Sequence, residues 1–65
     1  MNVVVNNEII ELIGSTIDDL ARQLKLPEKG VAVAVNMKMV PRMEWAATPL
    51  QEGAKIIVIK AASGG

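Results

Sequence analysis

Two short runs of β-branched residues open the chain, with a polar pair between them. The first run is Asn2-Val3-Val4-Val5-Asn6, and the second is Glu8-Ile9-Ile10-Glu11-Leu12-Ile13. Asn6-Asn7 separates the apolar parts of the two runs, and asparagine tolerates the positive φ of a tight hairpin turn. The pattern therefore predicts an opening β-hairpin with strands over residues 2–6 and 8–13.

The apolar positions change from a strand period to a helical period after Gly14. Ser15 or Thr16 can cap the amino end of the helix, because both side chains accept hydrogen bonds from the first turn. Asp18 and Asp19 then lie in that turn, where negative charge is favourable against the helix dipole. The apolar stripe of the predicted helix consists of Ile17, Leu20, Ala21 and Leu24.

Proline, glycine and asparagine divide the second half of the chain into short elements. Pro41 ends the strand before it, because proline cannot donate to a β-ladder. The segment from Arg42 to Ala47 is too short for a full helix, so one helical turn over residues 43–46 is expected. In chain order the predicted elements are a loop at Pro27 and Gly30, a strand over Val31–Val35, a turn at Asn36-Met37-Lys38, a strand at Met39-Val40, the helical turn closed by Thr48-Pro49, a bend at Glu52-Gly53 and a last strand over Lys55–Lys60.

This order of elements predicts an α+β fold with a mixed four- to five-stranded sheet packed on one helix. Residues 1–60 are expected to form that domain, and residues 61–65 a flexible tail that ends in Gly-Gly. In the third strand, Val33 and Val35 are expected to face the helix, and the smaller Ala32 and Ala34 the opposite side.

The last strand is apolar at every position from Ile56 to Ile59, a pattern typical of a strand buried on both faces. A single helix covers only one face of the sheet. With Ile56 and Val58 toward the helix, Ile57 and Ile59 point outward beside Val4. Large exposed apolar patches mark docking sites, so Val4, Ile57 and Ile59 are predicted to form a partner docking patch. Exposed apolar residues are also ordinary on protein surfaces, which is the competing interpretation.

The composition excludes several classes of function. The 65-residue chain has no histidine and no cysteine, so disulfides, zinc sites and histidine-based triads are excluded. Its seven basic and seven acidic residues cancel, which argues against a nucleic-acid partner. The apolar runs are shorter than the roughly 18 residues of a membrane span, and no signal-peptide pattern opens the chain. We therefore expect a cytoplasmic protein with no membrane partner.

Catalytic groups are also missing from the sequence pattern. The acidic residues make no paired-carboxylate site, and the glycines follow no phosphate-binding motif. An enzyme needs an acid, a base, a nucleophile or a metal in a dry pocket. The protein is therefore expected not to be an enzyme and to bind no metal or cofactor.

The end of the chain carries the remaining candidate chemistry. Ser63-Gly64-Gly65 leaves the terminal carboxylate without side chains to shield it. Glycine lacks a Cβ, so such an end can be threaded through a narrow channel into another protein's active site. A frayed terminus would have the same composition. If the terminal carboxylate takes part in a reaction, Gly65 is the site of activation, and Gly64 and Ser63 are the residues threaded into the partner.

Several positions spread over the whole chain combine into one pattern. They are Val35-Asn36, Val40-Pro41-Arg42, Trp45, Gly53, the apolar last strand and the terminal Gly64-Gly65. Together with the strand-strand-helix-strand order, this pattern resembles the ThiS family of thiamin-pathway sulfur carriers. The most specific parts are the segment from Asn36 to Trp45 and the diglycine end.

The resemblance implies a ubiquitin-like β-grasp fold and a protein that is a co-substrate of other enzymes. An adenylyltransferase related to ubiquitin-activating enzymes would use ATP to adenylate Gly65. A sulfur donor protein, such as a cysteine desulfurase, would then supply the sulfur of a Gly65 thiocarboxylate. Thiazole synthase would receive that sulfur, and no cofactor would be bound by the carrier itself.

Three alternatives share parts of the pattern. The small subunit of molybdopterin synthase (MoaD-like) uses the same carboxyl-terminal chemistry, but such proteins tend to be longer, with more aromatic residues on the exposed sheet. The short chain and its lack of phenylalanine therefore favour the thiamin pathway. A ubiquitin-like protein modifier and a plain protein-binding module are the other two.

Overall fold

The computed structural model describes residues 1–60, which form a five-stranded sheet, one α-helix and one 3₁₀ helix. In chain order the elements are β1 (Asn2–Val5), β2 (Glu8–Glu11), α1 (Ile17–Gln23), β3 (Val31–Val35), β4 (Lys38–Val40), the 3₁₀ helix (Arg42–Ala47) and β5 (Lys55–Lys60). The predicted α+β order is confirmed.

The last strand in the chain is the central strand of the sheet. The strand order is β2-β1-β5-β3-β4, so β5 lies between the two hairpins. It pairs in parallel with β1 and antiparallel with β3, and the pairs β1–β2 and β3–β4 are both antiparallel. The sheet is therefore mixed, as predicted, and the strand that leads to the carboxyl terminus has a neighbour on each side.

Both hairpins are closed by two-residue turns with positive φ. Asn6 and Asn7 have φ values of 49° and 70°, and Asn36 and Met37 have 50° and 70°. Positive φ at both central residues is the requirement of the tight turns that match strand twist. The expected turn over residues 36–38 is wrong in its length, because Lys38 already pairs with Val35 in β4.

The second strand is shorter than predicted. It ends at Glu11, not at Ile13, and its last residue pairs with Asn2, the first residue of β1. Leu12 turns into the core, where it is 2% exposed, and exchanges backbone hydrogen bonds with Met1. The Ile13 N–H points to the other side of the chain and donates to the Gln23 Oε1 atom at 2.9 Å.

Helix α1 begins with a reciprocal capping box. Thr16, one of the two predicted caps, accepts a hydrogen bond on its Oγ1 atom from the Asp19 N–H at 3.1 Å. The Asp19 carboxylate accepts in return from the Thr16 N–H at 3.1 Å and the Ser15 N–H at 2.9 Å. A Cβ added at Gly14 would overlap the Asp19 side chain, so the cap requires glycine there.

The core lies between the sheet and the two helices. Val33 and Ile56 are each 1% exposed, and Val35 and Val58 are half-buried against the same core, so the predicted helix-facing positions of β3 and β5 are confirmed. The fully buried side chains are Val3, Leu12, Ile17, Leu20, Val33, Trp45 and Ile56.

The segment after Pro41 makes a longer helix than predicted. The 3₁₀ helix covers Arg42–Ala47 and not a single turn. Trp45 anchors it, since its indole is 1% exposed and its Nε1–H donates to the Val40 carbonyl oxygen at 2.9 Å. A buried indole with a satisfied N–H stabilises a short helix that has little intrinsic stability.

Candidate functional site

The face of the sheet that points away from α1 carries a row of apolar side chains on all five strands. Ile57 and Ile59 of β5 are 43% and 54% exposed, so the predicted outward direction of these two side chains is confirmed. Ile57 lies opposite Ala34, and Ile59 lies opposite Ala32. We call this surface the outer face; its residues are Val4, Ile9, Ala32, Ala34, Met39, Ile57 and Ile59.

Val4, the third residue predicted for the docking patch, lies on the outer face but is half-buried. Its direct neighbours across the strands are Ile9 and Lys55, and Ile57 lies two residues beyond Lys55. Val4 and Ile57 are therefore diagonal neighbours. Whether Val4, Ile57 and Ile59 bind a partner stays a prediction.

Two further outer-face residues were missed from the sequence. Ile9 is 75% exposed opposite Val4, and Met39 is 61% exposed opposite Ala34. The signal for Ile9 was present, because a two-residue turn at Asn6-Asn7 fixes the hairpin register and pairs Val4 with Ile9. The outer face is therefore broader than the predicted patch and extends onto both outer strands of the sheet.

The predicted reactive residues, Ser63, Gly64 and Gly65, lie outside the described residues. The last described residue, Lys60, pairs with Val31 at the end of β5. Ile59 precedes it directly, so the outer face reaches the point where the described chain ends. The division into a domain over residues 1–60 and a tail over residues 61–65 stays a prediction.

The end of β5 is held on its two sides by different groups. On one side, its pairing with β3 continues as far as Lys60. On the other side, the ladder with β1 stops at the pair Val5 and Ile56. The Asn6 side chain continues from there: its Nδ2 donates to the Val58 carbonyl oxygen at 3.1 Å, and its Oδ1 accepts from the Val58 N–H at 2.8 Å.

The residues between Val40 and Trp45 belong to the scaffold. The Arg42 guanidinium lies 4.4 Å from the centroid of the Trp45 ring. Its Nη2 also donates to the Pro27 carbonyl oxygen at 2.6 Å, which joins the 3₁₀ helix to the loop after α1. The sequence motif around Pro41 therefore stabilises the fold around the buried indole.

Two charged residues lie among the apolar residues of the outer face. Lys55 lies between Val4 and Ile57, and Glu11 lies two residues after Ile9 on β2. The Asp18–Arg22 ion pair, with an N–O distance of 3.0 Å, lies on α1, on the opposite side of the sheet. Backbone hydrogen bonds from Ser15 and Thr16 hold the pKa of Asp19 below its ordinary value, but that carboxylate caps α1. The outer face is therefore suited to burial against an apolar surface.

Two further findings concern ligands and membranes. Within residues 1–60, no group of three or more acidic side chains is placed to share a metal ion. No helix in that range has the length and apolar character needed to cross a membrane.

Comparison with known proteins connects this geometry to one family. The family model described as the ThiS family matches residues 3–65. The sulfur carrier protein ThiS of Escherichia coli (strain K12) is 32% identical over 66 residues, and the match covers 100% of both chains.

Solved structures agree with the sequence comparison. The crystal structure of the thiamine biosynthesis protein (ThiS) from Geobacter metallireducens matches with a TM-score of 0.81 and 25% identity, over 100% of both chains. The solution structure of a thiamine biosynthesis protein from the same organism matches with a TM-score of 0.79 and 25% identity, over 100% of this chain and 88% of the other. The predicted ubiquitin-like β-grasp fold is thereby confirmed.

Proposed function

We propose, because the chain belongs to the ThiS family, that it is a sulfur carrier protein of thiamin biosynthesis. The observation that carries the proposal is the match to Escherichia coli ThiS along the full length of both chains. That match includes the carboxyl-terminal positions on which sulfur chemistry depends. The protein is then a co-substrate that enzymes act on, and its own fold supplies recognition.

The working group in this proposal is the carboxylate of Gly65. A carboxylate is a poor electrophile, so a partner enzyme first activates it: one carboxylate oxygen attacks the α-phosphorus of ATP, and pyrophosphate leaves. Hydrosulfide then attacks the carbonyl carbon of the mixed anhydride, AMP leaves, and loss of a proton gives the thiocarboxylate. Where the sulfur arrives as a protein persulfide, the persulfide displaces AMP to form an acyl disulfide, and a thiol reductant cleaves that disulfide to release the thiocarboxylate. Activation followed by displacement divides one difficult substitution into two easier ones.

The partners follow from these steps. A ubiquitin-activating-enzyme-like adenylyltransferase would form the anhydride, and a sulfur donor protein such as a cysteine desulfurase would supply sulfur. Thiazole synthase would accept it. Ser63 and Gly64 would pass through the narrow approach to each active site, because small residues leave the terminal carboxylate accessible.

The outer face is the proposed docking surface for the activating enzyme. Ile57 and Ile59 are both exposed, and Ile9 and Met39 enlarge the apolar area around them. Apolar side chains grouped on one face of a small domain favour burial against a partner. The outer face also reaches Lys60, so a partner docked there would lie close to the start of the tail.

The test is the mass of the intact chain after reaction. Incubation with the cognate adenylyltransferase, ATP and sulfide should add about 16 mass units, the difference between sulfur and oxygen in a carboxylate substituted through its anhydride. Omission of ATP is the control and should leave the mass unchanged. An unchanged mass with an enzyme that sulfurates an established carrier would refute the proposal.

The final acceptor needs a second reaction. The thiocarboxylate form should pass its sulfur to thiazole synthase and return to the original mass. The molybdopterin synthase large subunit, offered in parallel, should leave the thiocarboxylate intact. Consumption of the thiocarboxylate by that subunit alone would assign the protein to the alternative pathway.

A further inference from the structure

We infer that Asn6 is a positioning residue, which fixes the end of β5 and so directs the reactive carboxyl terminus toward a partner's active site. The inference rests on the proposed function, because it concerns the delivery of Gly65. It depends on the two hydrogen bonds that the Asn6 side chain makes to one residue of the last strand.

Strand β1 ends at Val5, so its backbone does not pair with the last residues of β5. The Asn6 N–H donates to the Ile56 carbonyl oxygen at 2.9 Å, and the β1–β5 register ends at Ile56. In a strand, the N–H and C=O groups of alternate residues point to the same side. Those of Val58 therefore point toward β1, where the chain has already entered the Asn6-Asn7 turn.

The Asn6 amide takes the place of the missing strand residue. One N–H of the amide donates to Val58 at 3.1 Å and its oxygen accepts from Val58 at 2.8 Å, which is the pair of bonds that a backbone strand residue would make. The turn conformation, with φ of 49° at Asn6, accompanies this placement. With these bonds the backbone groups of Val58 are paired on the β1 side, although no β1 residue lies opposite.

Placement of this strand end matters because the reaction occurs beyond it. The tail must bring one carboxylate oxygen into line with the α-phosphorus of ATP inside a separate protein. The rate of a reaction falls steeply when a reacting group is misplaced, and a displacement of about 1 Å is enough to lower it. Asn6 holds Val58, two residues before the last described residue, on the side of β5 where the pairing with β1 has ended.

The chain offers a matched pair of variants for the test. Asn6→Gly removes the amide and keeps the turn, because glycine readily adopts positive φ. Asn7→Gly is the control: Asn7 has φ of 70° in the same turn, and its side chain makes no hydrogen bond to any residue in the range 1–60. Both variants lose the same side chain from the same loop, and urea unfolding should show that both are folded at the assay temperature.

The first measurement is hydrogen exchange at the Val58 amide. In Asn6→Gly this amide should exchange about tenfold faster than in the unsubstituted protein. The Val58 N–H then has no hydrogen bond to Oδ1 that must open before exchange. In Asn7→Gly the rate should change by less than about twofold, because the Val58 bonds remain. Equal exchange in the two variants would overturn the structural part of the inference.

The second measurement is the kinetics of adenylation with carrier concentration varied. Asn6→Gly should lower kcat by about tenfold and leave KM nearly unchanged, because misplacement acts after docking. A rise in KM with unchanged kcat would make Asn6 a docking contact and overturn the inference, as would kinetics equal to those of Asn7→Gly.

Failure of the proposed function gives a separate result. In that case the unsubstituted chain and Asn7→Gly would both fail to gain sulfur, whatever happens at Asn6. If both gain sulfur normally and Asn6→Gly does too, the proposed function stands and the positioning role of Asn6 is refuted.

Discussion

At the scale of single residues, substitution of Ile57 tests most directly whether the outer face binds a partner. Ile57→Asp should raise the KM for the adenylyltransferase by about tenfold, because a carboxylate would be buried against an apolar partner surface. Since the side chain is 43% exposed, the free energy of unfolding should fall by no more than about 1 kcal/mol. Steady-state kinetics and urea unfolding measure the two effects separately.

Ile13 supplies the control for that substitution. It is 89% exposed, but it follows β2 and does not belong to the outer face. Ile13→Asp introduces the same charge into the same protein, so it should leave KM unchanged. Equal effects of the two substitutions would show that net charge, and not the outer face, controls the encounter.

At the scale of elements, the β3–β4 turn contains a conformation that its residue type disfavours. Met37 has φ of 70° and is 97% exposed, so it bears the cost of a left-handed conformation without a burial gain. Met37→Gly should stabilise the protein by about 1 kcal/mol, because the clash of Cβ with the backbone is removed. The rise in the thermal midpoint, measured by circular dichroism, checks this.

Met43 tests whether the gain in that variant is specific to the turn. It is 87% exposed in the 3₁₀ helix and is not among the residues with positive φ. Met43→Gly should therefore destabilise the protein, by about 1 kcal/mol or less, because glycine only adds freedom to the unfolded chain. Stabilisation by both substitutions would point to loss of an exposed apolar side chain as the cause.

The elements also show which parts of the fold could be predicted from the sequence. The β-branched runs and the helical period of Ile17 to Leu24 predicted the strands and helix, because these patterns reflect which side of each element is buried. The ends of the elements depended on partners elsewhere in the chain. Glu11 ends β2 opposite Asn2, the first residue of β1. Gln23, on a different element, bonds to the Glu11 carbonyl and the Ile13 N–H on the side of the strand away from β1.

The candidate site was also predictable only in part. Four consecutive apolar residues in β5, with one helix to cover them, placed Ile57 and Ile59 outside. The pairing of Asn6 with Val58 was not predictable, since those residues are 52 positions apart and only the parallel alignment of β1 and β5 brings them together. Tertiary neighbours, which a single sequence does not contain, decide such contacts.

At the scale of the whole molecule, the proposal assigns recognition to residues 1–60 and reaction to Gly65. A chain that ends at Ser63 separates the two roles. It should gain no sulfur but should still occupy the adenylyltransferase, because its outer face is unchanged. We therefore expect competitive inhibition of the full chain, with an inhibition constant within about threefold of the full chain's dissociation constant, since terminal residues add little interface.

The same truncation also tests the outer face without any chemistry at the carboxyl terminus. Adding Ile57→Asp to the truncated chain should raise its inhibition constant by about tenfold, while adding Ile13→Asp should not. Both chains should unfold cooperatively with nearly the free energy of their full-length counterparts. If the truncated chain does not inhibit at all, the terminal glycines themselves supply the affinity, and the assignment of recognition to the outer face is wrong.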